Sequence, residues 1–125
     1  MFQKLLFLAL AGAAGTLARY WLGSLLQKNL TYHFHFGTAV VNILGCLLFG
    51  LIWAILDNKL TISPQFKAVI FIGFFGAFTT FSSFAFETVK LINDLRWAHA
   101  FGNILLQNIC GVAGIILGLA IGKNF

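Results

Sequence analysis

Four stretches of about 20 apolar, almost uncharged residues dominate this chain: Leu5–Leu26, Phe36–Leu56, Ala68–Glu87 and His99–Gly122. Such a run is what one helix needs to cross the hydrocarbon core of a bilayer. Because lipid offers no hydrogen-bond partners, the backbone must satisfy itself, and four separate runs predict four helices rather than strands. Little of the 125-residue chain lies outside them. Residues 1–125 therefore read as a single all-α, four-helix membrane domain with no extramembrane module. Lys4 followed by an apolar stretch containing Ala11-Gly12-Ala13-Ala14-Gly15 resembles a signal peptide. Three more spans follow it, so a retained first helix is expected.

Composition closes off other classes. Only 9% of residues are charged against 60% hydrophobic, where a soluble domain carries about 25% charged. That excludes an ordinary cytosolic enzyme and a disordered tail. The net charge of +5 comes from basic residues set singly along the chain, without the patch or arm of a nucleic-acid binder. Cys46 and Cys110 fall inside apolar runs and behave as small hydrophobes, not as a disulfide framework. His33, His35 and His99 lack metal-ligand spacing and read as headgroup-level residues. No nucleophile–base pair stands out, so an enzyme is not expected.

The connections are short and polar: Gln27–His35, Asp57–Lys67 and the segment from Lys90 to Trp97. Pro64 in the second suits the start of a short interfacial helix. Tyr20, Trp21 and Trp97 suit an interfacial aromatic belt. With four spans both termini share a side. Lys4, Lys59, Lys67 and Lys123 lie there, while Lys28, Lys90, Arg96 and Arg19 lie on the other. The positive-inside rule then gives almost no preference. Insertion in both orientations, with head-to-tail pairing as an antiparallel dimer, is the expectation; a single orientation settled by one loop charge is the competing one.

The third run is poorly suited to a continuous helix. Gly73-Phe74-Phe75-Gly76-Ala77-Phe78-Thr79-Thr80-Phe81-Ser82-Ser83-Phe84 places two glycines and four hydroxyl residues at bilayer depth. Hydroxyls can re-satisfy backbone groups freed by a break, and a break at this depth survives only in protein or beside a wet cavity. Carbonyls released there can ligate a cation, and amides and hydroxyls can donate to an anion. A helix whose Ser and Thr bond back to their own backbone is the simpler possibility. Phe81 and Phe84 can offer ring edges, the positive part of the aromatic quadrupole, to a small anion.

Polar faces on other runs match. Thr38, Asn42, Gly45 and Phe49 share a face of the second, and the Asn42 amide can donate twice. Asn103, Gln107, Gly111, Gly114, Gly118 and Gly122 share a face of the fourth, with Asn108 beside it. Most of the glycines read as helix-packing contacts. Arg19 either snorkels to the interface or draws anions into a vestibule. Glu87 precedes Lys90 by three residues, so a helix-surface pair is expected.

These residues together resemble the Fluc/CrcB fluoride channels. The resemblance rests on Gly12-Ala13-Ala14-Gly15-Thr16-Leu17-Ala18-Arg19, on Gly37-Thr38-Ala39-Val40-Val41-Asn42 with Gly45, and above all on Gly73 to Phe84 followed by Glu87. The last is similar to the family's Gly-rich stretch ending in Thr-Thr-Phe-Ser-Thr-Phe. It implies an antiparallel, dual-topology homodimer in the cell (inner) membrane, with two pores that pass fluoride passively down its gradient and lower cytoplasmic fluoride. By the same resemblance Asn42, Thr80, Phe81, Ser82, Ser83 and Phe84 line the pore, and Arg19 belongs to a vestibule. The backbone carbonyls of Gly76 and Thr79 from both subunits would hold a structural sodium ion (Na+) at the dimer centre.

Two departures stand out. Ser83 replaces the family's second threonine of that motif and keeps the hydroxyl. Val112 occupies the usual serine position in the fourth helix and cannot donate, so another donor is expected to stand in, or conduction to be slower. The alternative reading is a small multidrug-type proton antiporter, which needs a central membrane carboxylate that the first span lacks. A structural membrane subunit with no transport of its own is a third.

Overall fold

The computed structural model describes residues 2–28, 36–59 and 62–125, except the side chains of residues 28, 58 and 59. His33 and His35 lie outside them. In order the elements are α1 (Phe2–Lys28), α2 (Phe36–Lys59), α3 (Pro64–Ala68), a π-helical turn (Val69–Phe75), α4 (Gly76–Phe78), α5 (Phe81–Asn93) and α6 (Trp97–Gly122). The described residues are helical throughout, apart from short connections. Four stretches are long and apolar enough to cross a membrane: Phe2–Gln27, Phe36–Asp57, Pro64–Asn93 and Trp97–Gly122. Each contains one of the four runs read from the sequence.

The third span begins earlier than its apolar run. Ser63 caps it, accepting from the Phe66 N–H at 3.3 Å, and Pro64 supplies the first helical residue, where its missing N–H costs nothing. The helix foreseen at Pro64 thus exists, but it runs without a gap into the span. At the far end the chain leaves α5 through Leu95, whose φ is 58°. Arg96 N–H bonds the Leu91 carbonyl and Leu95 N–H bonds that of Ile92, a Schellman ending with leucine where glycine is usual.

Lipid tails are as apolar as leucine, so helices in a bilayer associate through close backbone approach rather than through hydrophobic exclusion. α6 packs mainly on α2, and the small-residue face of the fourth run makes that possible. Gly111, Gly114, Gly118 and Gly122 are all buried. A Cβ on Gly118 would lie 2.2 Å from the Leu47 carbonyl oxygen, and one on Gly122 would lie 2.6 Å from that of Leu51. α2 reciprocates through Gly50, whose Cβ would meet the Ile115 oxygen at 2.4 Å.

The third span divides its contacts. Its first half, the π turn and α4, packs on α1, whereas α5 packs on α6. Gly15 of α1 meets the Phe74 carbonyl and Gly73 meets Ala11, again by close approach. The π turn widens the helix where Phe71 and Phe75 stack, with ring centroids 6.1 Å apart. Phe71, Phe75, Phe78 and Val41 form the buried apolar core, joined by Phe49 and Leu48 of α2. Single π turns inside α-helices are frequent near functional sites, and this one leads directly into the break.

Candidate functional site

Helix stops at Phe78 and resumes at Phe81, with Thr79 and Thr80 extended between them. Thr80 has φ −146° and ψ 109°. An extended residue turns its N–H and C=O to the same edge, as in one half of an antiparallel pair. The Asn42 side chain fills the place of the other half. Its Oδ1 accepts from the Thr80 N–H at 2.8 Å, and its Nδ2 donates to the Thr80 carbonyl at 3.1 Å. One carboxamide from α2 therefore engages both backbone groups of Thr80.

This clamp redirects two hydrogen bonds. In a continuous α-helix the Thr80 N–H would bond the carbonyl of Gly76; here it goes to Asn42. The Ser83 N–H would bond the carbonyl of Thr79; here it goes to Thr80 Oγ1 at 3.2 Å, the N-cap of α5. The carbonyls of Gly76 and Thr79 thus lose their helical donors. Gly76 is exposed, and a Cβ there would meet only the Phe71 oxygen at 3.8 Å.

Asn42 is itself backed by a chain of amides. Its Nδ2 donates to Gln107 Oε1 at 2.6 Å, and Gln107 Nε2 donates to Asn103 Oδ1 at 2.8 Å. Asn103 Nδ2 then donates to Thr88 Oγ1 at 2.9 Å, and Thr88 donates to the Phe84 carbonyl at 2.8 Å. Asn103, Gln107 and Thr88 are buried. Spacing had placed Asn103 and Gln107 on one face; it gave no sign that they meet Asn42 and Thr88.

Cavities open on either side of Thr80. One of about 370 Å³ is lined by Arg19, Tyr20, Ser24, Thr38, Thr80 and Ser83, among others. The other, about 190 Å³, is lined by Asn42, Thr79, Thr80, Phe81, Phe84 and Gln107 with Cys46 and Asn108. The Phe81 and Phe84 rings lie 5.4 Å apart, tilted by 54°. Phe84 is buried but Phe81 is 76% exposed. The Thr80 hydroxyl lies 3.3 Å from that of Ser82 and donates to that of Ser83 at 3.0 Å.

The sequence-predicted residues therefore gather at one break, with Arg19 across it in the larger cavity. Asn42 is engaged with Thr80 and Gln107 through both its oxygen and its nitrogen. Glu87 departs from the surface pair expected with Lys90. It is buried, and Thr38 Oγ1 donates to its carboxylate, because α5 turns that face toward α2. Val112 is 62% exposed and faces away from the amide chain; Gln107 supplies the polar group on the inward face. Among the described residues no cluster of His, Cys, Asp or Glu could hold a metal ion.

Comparison with known proteins identifies the family. The family model described as CrcB-like protein, Camphor Resistance (CrcB), matches residues 6–119. A protein of Solidesulfovibrio magneticus named fluoride-specific ion channel FluC is 50% identical over 98% of this chain and 98% of its own. Its namesake in Nitrosococcus oceani is 46% identical over the same shares. One in Parabacteroides distasonis is 37% identical over 97% of this chain and 94% of its own. Full-length similarity at this level, carried by a chain with four membrane-spanning helices and a broken third, makes this a multi-pass membrane protein that belongs to the CrcB family.

Proposed function

We propose that this chain is a subunit of a fluoride-selective channel, a transporter without enzymatic activity. The observation that carries the reading is the break at Thr79–Thr80, in a chain whose relatives are named for fluoride conduction. Fluoride is small and holds its water tightly, so a pore must replace that water with close donors. The start of α5 concentrates them. The N–H groups of Phe81 and Ser82 fall in the first turn, where a helix has no internal acceptor to offer. The hydroxyls of Thr80, Ser82 and Ser83 stand beside them, and the partial positive charge of the helix N-terminus favours an anion. Phe81 and Phe84 add ring edges. Arg19 in the larger cavity raises the local anion concentration. The proton-antiporter alternative is not favoured, given the family.

The finer architecture belongs to the same proposal. Two copies pair antiparallel, in keeping with the balanced basic residues, and an isologous contact sets each Phe81 against the partner subunit. Two pores result, each passing fluoride passively out of the cytoplasm across the cell membrane. Gly76 and Thr79, whose carbonyls lack helical donors, would hold a structural sodium ion at the two-fold axis. Hard oxygen ligands fit a hard cation. That ion would supply a fixed positive charge, and its carbonyl ligands would be left free for it because Asn42 and the α5 cap take the N–H groups of Thr80 and Ser83.

Fluoride efflux from liposomes, followed with an electrode and a matched chloride control, tests the reading. Rapid fluoride loss with chloride retained is expected. Well-folded protein that passes no fluoride, or passes both ions equally, would overturn it.

A further inference from the structure

We infer that Gln107 is a positioning residue for the break: it fixes the direction of the amide chain, so that Asn42 grips Thr80 and keeps the third span open. A backbone N–H can only donate, so the Thr80 N–H requires Asn42 to present its oxygen at 2.8 Å. That leaves Asn42 two hydrogens on Nδ2. One reaches the Thr80 carbonyl and the other requires an acceptor, which is Gln107 Oε1 at 2.6 Å. With its oxygen committed, Gln107 must donate from Nε2, and Asn103 Oδ1 receives that bond at 2.8 Å. Asn103 in turn donates to Thr88, whose hydroxyl donates to the Phe84 carbonyl.

Every carboxamide is thereby oriented by its neighbours, and the donor direction runs one way from Thr80 to Phe84. The two ends lie four residues apart on the third span, bracketing the first turn of α5. Gln107 is the α6 side chain that hydrogen-bonds Asn42. Without the Gln107 oxygen, half-buried Asn42 would hold a donor with no protein acceptor, and turning its amide over would point an N–H at the Thr80 N–H. A buried donor without a partner is costly, and networks of this kind fail as a unit. The Thr80 N–H, no longer held by Asn42, would then be left without a partner and open to exchange.

The test compares wild type with Gln107→Met, which keeps the length of the side chain and removes its polar atoms, in purified full-length protein. Hydrogen–deuterium exchange at the Thr80 amide reads the clamp directly, and fluoride efflux from liposomes reads its consequence. At least tenfold faster exchange at Thr80, with α1 unchanged, and at least a tenfold loss of fluoride flux are expected. Asn103→Leu, one link further from Asn42, should shift both in the same direction but less, and it decides the matter if Gln107→Met does not fold. Unchanged exchange at Thr80 overturns the inference even if flux falls, since Gln107 would then act only as a lining group. Faster exchange with full flux overturns it too, because the clamp would not matter for conduction. The flux arm rests on the fluoride-channel reading, whereas the exchange arm does not. Wild type without fluoride flux would sink that reading and leave the amide chain to be judged by exchange alone.

Discussion

Three glycines of α6 offer a graded test of how the bundle is held together. Replacing Gly118 with alanine puts a carbon 2.2 Å from the Leu47 carbonyl oxygen, 2.7 Å from the Leu51 nitrogen and 3.1 Å from the Gly50 carbonyl carbon. All three are backbone atoms, so no side chain can rotate aside. Ordinary contact between such atoms begins near 3.5 Å, and α6 would have to move off α2 by roughly 1 Å. Overpacking of this kind costs about 1–3 kcal/mol. The same change at Gly102 has nothing within 4 Å, and the better helix propensity of alanine is worth up to about 1 kcal/mol there. The two variants should differ by about 2–4 kcal/mol in reversible unfolding from mixed micelles, followed by tryptophan fluorescence. Gly114→Ala, whose nearest contacts are 3.3–3.6 Å, should fall between them. If Gly118→Ala and Gly102→Ala unfold within about 0.5 kcal/mol of each other, backbone proximity is not what sets this interface.

Four further outcomes are expected. Leu95→Gly relieves a left-handed leucine at an exposed helix end and should stabilise by about 1 kcal/mol in the same unfolding assay. Thr38→Val keeps the shape of the side chain but removes the donor to buried Glu87, and should destabilise by about 1–3 kcal/mol. Asn42→Asp leaves an acceptor for the Thr80 N–H but no donor for the Thr80 carbonyl or Gln107, and adds a negative charge; fluoride efflux should be abolished while a folded protein is still purified. Phe84→Ile removes the ring edge from the smaller cavity with little loss of apolar volume, and should lower fluoride efflux at least tenfold, a barrier increase of about 1.4 kcal/mol.

Some of this was legible from residue spacing alone. Gly114, Gly118 and Gly122 recur every four residues, and only a helix contact explains such a run in an apolar segment. The concentration of hydroxyls and glycines from Gly73 to Phe84 announced a break because nothing else satisfies released backbone groups in lipid. The role of Asn42 was not legible. A carboxamide on a polar face has the same pattern whether or not it also bonds a neighbouring backbone, and only the extended geometry of Thr80 reveals the clamp. The π turn was hidden because Val69 to Phe75 is apolar on every face and shows no period. Glu87 misled for a local reason: Lys90 sits at helical spacing, but the Thr38 hydroxyl lies on another span and leaves no mark near Glu87 in the sequence.

The clamp at Thr80 also dictates an order of assembly. A polar break released alone into lipid would leave an N–H and a C=O unsatisfied, each costing several kcal/mol. Synthesis runs from the N-terminus, so α2 is already made when the third span emerges, and Asn42 waits for Thr80. Gln107 follows last, with α6. The third span thus arrives to find the partner that its exposed groups require, and the finished bundle closes like a latch whose bolt is the final helix.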